Sequence, residues 1–408
     1  MGDDNATGRR VRRAREDLGL TQERLAERAG LSLGVIKKIE RGGVCRIDTY
    51  HAIARALGLR TSQLFEPLEL GADMHAGDRS IALMPLRQAI SPPLTITGHP
   101  ALGEMGEEVR LDHLRETVRA LAGLYHADDY RALGAALPGA VAAAHQAVRH
   151  FDTGPERREA LLIRATALLE AGRYLTQVRA YDLGHVALTD AVRDAVAAGD
   201  RMKAAAGVYL QGWTLLRQSR FDEAERLSIA TADEVEPRLS RATRAELGLW
   251  GRLLLRASTS AARNAKDTEA RQLLRIARAA AVALGDVSAT DPHSYGRFDW
   301  SSVALMGIEN NMIAKRYDRV LMLSERLPGS LTLTSDNRHR HMLDVALAEA
   351  EVRRPDEAFR TLSRLRSTTP EWLRHQQLGR DVFRAARKRK RAALTGEQRE
   401  IGEFLGVR

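Results

Sequence analysis

Residues 18–43 read LGLTQERLAERAGLSLGVIKKIERGG, and the punctuation of this stretch decides the fold of the N-terminal end. Gly19 can take the left-handed backbone that stops a helix. Thr21 is a strong N-cap residue, so a second helix is expected over 22–29, with Leu25 and Ala26 as its apolar face. Gly30 makes the next turn. Ser32 is expected to cap a third helix that runs to Arg41, with Val35, Ile36 and Ile39 inward at helical spacing. Gly42-Gly43 ends it. Working outward, residues 9–18 form a first helix whose Val11, Ala14 and Leu18 can face inward. Residues 50–57 form a fourth, closed by Gly58, and a short fifth starts at Thr61 or Ser62 and includes Leu64-Phe65.

Five short helices with these stops resemble the helix-turn-helix domain of the Cro/repressor type, the XRE family. The matching residues are Arg15, Leu18, Gly19, Leu20, Thr21-Gln22, Leu25-Ala26, Gly30, Ser32, Ile36, Ile39-Glu40, Gly42, Leu57-Gly58 and Leu64-Phe65. The resemblance implies double-stranded DNA as partner, with the third helix in the major groove, which is wide enough for one helix. It implies that Gln22 meets a DNA phosphate and that Arg15 and Glu40 form a buried ion pair. It assigns base reading to Ser32, Leu33, Gly34, Lys37 and Lys38. Leu33 and Gly34 bring no side-chain hydrogen bond, so specificity is expected to rest on few contacts and on DNA shape. Arg10, Arg46 and Thr49 are candidate phosphate contacts, with a merely solvated face as the alternative for each.

The charge distribution agrees with a nucleic-acid role at this end. Of the chain's net charge of +10, residues 1–65 carry +5, and Arg9, Arg10, Arg12, Arg13 and Arg15 fall within seven positions. Only seven of 63 basic residues are lysine, so a GC-rich genome is the competing reading of the arginine excess. The single cysteine, Cys45, cannot form an intrachain disulfide, which fits a reducing cytoplasm. No run of 18 apolar residues exists, so no membrane span is expected. Aromatic residues are 5 % and Ala, Leu and Arg abound, which favours helices over sheets.

Four segments are expected: 1–66 as the DNA-binding domain, 67–106 as a linker, 107–378 as a helical-repeat domain, and 379–408 as a basic segment with a cap helix. Pro67, Pro85, Pro92-Pro93 and Pro100 interrupt the linker, within which residues 80–90 are apolar enough to dock as one short helix. Beyond it, amphipathic helix pairs are expected over 109–150, 157–199, 203–235, 241–284, 300–327 and 338–369. One local signature recurs in the second helices, at residues 220–224 (Arg-Phe-Asp-Glu-Ala), 266–270 (Lys-Asp-Thr-Glu-Ala), 316–320 (Arg-Tyr-Asp-Arg-Val) and 354–358 (Arg-Pro-Asp-Glu-Ala).

These pairs resemble tetratricopeptide repeats. Ala346, Ala358, Leu362 and Pro370 occupy the small, small, aromatic and closing places of the last unit, and Gly212, Leu215 and Ala224 are in register in an earlier one. The anchors Ala224, Ala270, Val320 and Ala358 are 46, 50 and 38 residues apart rather than a steady 34. The expected fold class is therefore all-α, a five-helix helix-turn-helix domain followed by an irregular tetratricopeptide-like repeat. The layout resembles the peptide-sensing regulators of Gram-positive bacteria, and, more closely in its Arg/Ala-rich style, large regulators from GC-rich Gram-positive genomes.

That resemblance implies a cytoplasmic, homodimeric transcription regulator whose repeat domain takes a peptide, small-molecule or protein effector. Asn264, Asn310, Asn311, Arg252 and Arg256 are the candidate polar contacts, and Trp213 and Trp250 the apolar ones. The competing reading of each is core packing or a solvated face. The aromatic loop at 293–300 can cover a pocket or seal a gap between repeats. The basic run Arg384, Arg387, Lys388, Arg389, Lys390 and Arg391 reads as a solvated helix face or a second DNA contact.

No phosphate loop, nucleophile elbow, His-Glu-x-x-His or paired-cysteine motif is present, so neither an enzyme nor a metal or cofactor site is expected. His339 and His341, two residues apart, point to different sides of a helix. The alternative function is a tetratricopeptide-like protein-interaction adapter with a vestigial DNA domain.

Overall fold

The computed structural model describes residues 4–43, 45, 47–57, 83–96, 109–285, 297–328 and 335–407. Its elements are all α-helices, and the chain divides into two compact units, Met1–Ala72 and Asp73–Arg408.

In the first unit the helices are α1 (Asp4–Asp17), α2 (Gln22–Ala29), α3 (Leu33–Glu40) and α4 (Ile47–Ala56). Thr21 caps α2 by accepting the Arg24 amide at 3.2 Å, and Gly30 ends it at φ +67°. Val11, Leu25, Ile36 and Ile53, one from each helix, are wholly buried and form the core. Glycine at position 8 lets α1 lie directly on α3, because a Cβ there would stand 2.1 Å from the Ile39 carbonyl oxygen.

Three local expectations change. Helix α1 begins at Asp4 rather than at residue 9. Leu18 is 51 % exposed rather than inward, because α1 ends at Asp17 and Gly19, at φ +64°, turns the chain away from the helical period. Ser32 stands at the N-cap position of α3 in extended conformation, yet its hydroxyl makes no cap bond. The expected fifth helix and Arg46 lie outside the described residues, and the side chain of Arg10 does too.

The second unit opens with α5 (Met84–Ile90), the short docked helix, whose Leu86 and Ile90 are buried in the main core. Six helix pairs follow: α6 (Leu111–His126) with α7 (Tyr130–His150), α8 (Gly154–Gln177) with α9 (Tyr181–Ala197), and α10 (Arg201–Arg217) with α11 (Phe221–Glu234). Then come α12 (Arg244–Arg263) with α13 (Asp267–Leu284), α14 (Trp300–Ile313) with α15 (Tyr317–Glu325), and α16 (Ser335–Glu351) with α17 (Pro355–Thr368). The pairs coincide with the expected ones within a few residues.

All six pairs share one turn. Asp128, Arg179, Ser219, Ala265, Lys315 and Arg353 each adopt φ between +56° and +68°, although none is glycine. In every case the following amide donates back into the first helix, as in Asp129 to the Leu124 carbonyl and Arg354 to Glu349, at 2.8–3.1 Å. This is the Schellman arrangement, which satisfies carbonyls that a helix end leaves bare. Five residues after each left-handed residue comes a buried one: Leu133, Gly184, Ala224, Ala270, Val320 and Ala358. The sequence signature captured the last four of these and missed the first two.

The chain ends in α18 (Pro370–Arg374), α19 (Gln377–Arg389) and α20 (Gly396–Leu405). Helix α19 runs across the boundary expected at 378, and its Val382, Phe383 and Ala386 are buried in the same core as the pairs. Arg380, 3 % exposed, donates to the carbonyls of Leu405 and Arg374 and ties the last helix down. Three members of the basic run are paired: Arg384 with Asp381 at 3.2 Å, Arg389 with Glu351 at 2.8 Å and Lys390 with Asp356 at 2.5 Å.

Phe298 of the aromatic loop is wholly buried, while residues 293–296 lie outside the described residues. Its ring sits where a side chain on Gly251 would go, since a Cβ there would meet the ring at 2.1–2.5 Å. Gly251→Ala must displace that ring, so a loss of about 1–3 kcal/mol is expected in chemical denaturation. An unchanged midpoint would show that Phe298 does not depend on this gap.

Candidate nucleic-acid interface and candidate effector cleft

In the first unit the candidate reading face is built on a buried charge network. Arg15, 8 % exposed, donates through Nε to Glu40 Oε1 at 2.7 Å and through its terminal nitrogen to Oε2 at 3.2 Å. The same guanidinium donates to the Leu20 carbonyl at 2.8 Å, just before α2. Gln22 donates its amide to Glu40 Oε2 at 2.7 Å. One carboxylate at the end of α3 thus gathers α1, the turn and the start of α2, which sets the angle between α2 and α3.

On that frame, Ser32, Gly34, Lys37 and Lys38 are exposed along one helix and Leu33 is half-buried. Gln22 is committed on one side to Glu40. A primary amide has two N–H donors, so one remains for an outside acceptor. Cys45 packs against the apolar core of this unit.

In the second unit a cleft of about 610 Å³, counted to its open mouth, is lined by the first helices of four successive pairs. Tyr209 comes from α10, Arg252, Leu255 and Arg256 from α12, Ser302, Leu305, Met306 and Glu309 from α14, and Asn337, Arg340, His341 and Asp344 from α16. Arg297, just before α14, completes the wall. Of the expected effector residues the structure brings only Arg252 and Arg256 to this wall.

The others lie away from this wall. Trp250 is 6 % exposed in the main core, and Trp213 packs against that core. Asn264 donates to Asp222 and to Glu225, both at 3.0 Å, and so joins two pairs. Asn310 donates to the Ser258 hydroxyl at 2.8 Å, and Asn311 to the Gly307 carbonyl at 2.7 Å. His339 lies against Trp372 and Asp128, while His341 faces the cleft.

Most of the cleft was missed because its polar groups lie on four helices far apart in sequence. One signal was available: Arg252/Arg256 and Arg340/Asp344 are pairs at i, i+4, which share a helix face.

The cleft's charges are linked. Glu309 Oε1 accepts from Arg263 at 2.8 Å and from Arg340 at 3.4 Å, and Arg340 Nε reaches Asp344 Oδ2 at 3.3 Å. Burial opposes the charge on Glu309, but Arg340, Arg263, Arg256 and Arg217 outweigh it and hold the carboxyl at about 2. Burial dominates at Asp344, and with Glu309 beside it the carboxyl is pushed up to about 6 despite Arg340. Burial lowers Arg217 to about 10, helped by Arg340, and also lowers His341.

Among the described residues no group of three or more His, Cys, Asp or Glu is placed to hold a metal ion, and no helix is long and apolar enough to cross a membrane.

Two outcomes follow from these networks. Removing Glu40 leaves the buried Arg15 guanidinium with only the exposed Glu16 and the Leu20 carbonyl, so Glu40→Ala is expected to cost about 3 kcal/mol in the stability of the first unit. Thermal unfolding followed by circular dichroism checks this, and an unchanged transition would contradict the network. For Asp344 the folded pKa lies above the unfolded one, so the stability from its proton is present below about pH 4 and lost as pH rises through 6. Asp344→Asn lacks that loss. Its stability relative to the parent should therefore rise by roughly 2–3 kcal/mol between pH 4 and 7, and parallel pH profiles would be the contrary result.

Residues 11–64 match the family model described as Helix-turn-helix. No curated protein matches the chain. Among solved structures, Bacillus thuringiensis PlcR in complex with the peptide PapR7 and DNA is 14 % identical, with a TM-score of 0.29, over 69 % of this chain and 95 % of that one. The apo form of the competence regulator ComR from Streptococcus vestibularis is 13 % identical, with a TM-score of 0.30, over 84 % of this chain and 99 % of that one. The chain carries an N-terminal helix-turn-helix domain followed by an irregular array of helix pairs.

Proposed function

We propose that this protein is a DNA-binding transcription regulator whose helix-pair unit dimerises and senses an effector. The observation that carries the DNA reading is the exposed face of α3, with Ser32, Lys37 and Lys38 on a helix held by the buried Arg15–Glu40–Gln22 network. The third helix enters the major groove, its lysines reach guanine edges or phosphates, and Leu33 contacts a thymine methyl. The remaining Gln22 N–H meets a phosphate, and Arg10 and Arg46 add backbone contacts. A homodimer reads a two-fold symmetric operator, because a symmetric protein imposes its symmetry on its site.

The cleft supports the sensing reading. Side chains from α10, α12, α14 and α16 meet there, so a ligand that bridges them favours one arrangement of the pairs over another. It shifts the population between DNA-competent and DNA-incompetent states in proportion to its differential affinity.

The test is fluorescence anisotropy of the full chain with the fragment upstream of its own gene. Salt-dependent binding that survives non-specific competitor DNA is expected. Lys37→Ala should weaken binding and lower the salt slope by about 1 if that lysine neutralises a phosphate. Binding that competitor DNA removes entirely would sink the operator reading.

A further inference from the structure

We propose that the cleft lined by α10, α12, α14 and α16 is a receptor for a compact anionic group, a carboxylate or phosphate carried by the effector, with Arg256 as its principal contact and Arg252 and Arg340 beside it. This deepens the sensing reading above and rests on it.

The local charge inventory is unequal. Six guanidiniums, of Arg217, Arg252, Arg256, Arg263, Arg297 and Arg340, line the cleft or lie behind it, against three carboxylates, of Asp299, Glu309 and Asp344. The carboxylates are already taken: Glu309 by Arg263 and Arg340, Asp344 by Arg340, and Asp299 by Arg297 at 2.5 Å. Positive charge removed from water without a counter-charge is unfavourable.

Arg256 carries part of this surplus on the cleft wall itself. Among the described residues it has no hydrogen-bond or ion-pair partner, and its Nε is buried. Its guanidinium carbon stands 4.8 Å from the centre of the Tyr209 ring, and that of Arg252, four residues earlier on the same helix, 5.7 Å. Both cations lie within cation–π range of one aromatic ring, which favours this placement before any ligand arrives. A guanidinium so held presents a fork of N–H donors that matches two oxygens of a carboxylate or phosphate.

The remaining wall constrains the rest of the ligand. Leu255, Leu305 and Met306 are apolar, so a short hydrocarbon body fits beside the anionic head. The space within the cleft itself is about 90 Å³, enough for a compact head group, and the open mouth leaves the body it is attached to unconfined. A neutral ligand would leave Arg256 with only the shared charge of Glu309, and a cation would add to the surplus.

The experiment is differential scanning fluorimetry of the full chain with four probes: inorganic phosphate, citrate, N-acetyl-leucine and its neutral twin N-acetyl-leucinamide. Sodium chloride of matched ionic strength is the baseline. At least one anion is expected to raise Tm by roughly 2 °C or more over that baseline, with no rise for the amide. A response to N-acetyl-leucine identifies the carboxylate end of a chain as the source, and a response to phosphate or citrate alone identifies a small polyanion.

Arg256→Gln should abolish the rise, and Arg256→Lys should retain part of it. Circular dichroism checks that both variants are folded. A rise that persists in Arg256→Gln would move the anion to another site, such as the basic first unit, and overturn the inference. So would no anion exceeding chloride. Promoter binding measured on the same preparations separates the two readings: DNA binding without an anion response removes this inference alone, and loss of DNA binding removes the regulator reading.

Discussion

The second unit depends on a backbone constraint imposed six times. Each helix pair closes through a non-glycine residue in the left-handed region, which L-residues enter at a cost of about 1 kcal/mol or more each. Two things offset that cost. The Schellman bond satisfies carbonyls at the end of the first helix. The residue five positions on is driven into the core as the second helix folds back, and it is small or aliphatic in all six pairs. The geometry is therefore over-determined by packing rather than by glycine. The same turn folds each second helix back on its first, and the first helices of the last four pairs bring side chains far apart in sequence into one cleft.

The protein holds two buried charge networks of different character. Around Glu40 the two oxygens of one carboxylate receive Arg15 and Gln22, and Arg15 also donates to the Leu20 carbonyl and to Glu16. Such a closed network fixes geometry. The network around Glu309 is open, because arginines outnumber carboxylates and Asp344 holds its proton to about pH 6. A low dielectric strengthens every pair and penalises every surplus charge alike. A balanced cluster is thus a structural clamp, whereas an unbalanced one changes its energy greatly when a counter-charge enters or a proton leaves.

Local signals were legible in the sequence and distributed ones were not. The turns at Gly19 and Gly30, the cap at Thr21 and the inward positions Leu25, Ile36 and Ile39 are set by neighbours a few residues away. The helix pairs were legible for the same reason, down to Ala224, Ala270, Val320 and Ala358. Leu133 and Gly184 fall outside the four quoted instances because the turn requires only a left-handed residue and a buried position, neither of which demands one side-chain type. Asn264, Asn310 and Asn311 drew attention as polar residues on helices, but each finds a partner within the fold. Arg340, Glu309 and Asp344 escaped notice because their meaning lies in one another, across α14 and α16. Even the position of Leu18 turned on where α1 ends, a boundary that periodicity alone defines poorly.

The sparse reading face and the charged frame behind it bear on each other. With Leu33 and Gly34 at the start of α3, Ser32, Lys37 and Lys38 carry most of the polar capacity of that helix. Ser32 is free of capping duty, so its hydroxyl can point outward at no cost to a side-chain cap bond. Few base contacts give little discrimination per half-site, at roughly 1–3 kcal/mol for each good one. Discrimination then has to come from fixed geometry: the angle of α3 to the backbone contacts decides which DNA shapes can be met at all. Under the proposed DNA reading, that angle is what the Arg15–Glu40–Gln22 network sets, from behind the reading face. In the proposed dimer the two reading helices also act together, so their separation becomes part of the specificity. A helix-pair unit that alters this separation on binding a ligand could switch a weak reader without touching a single base contact.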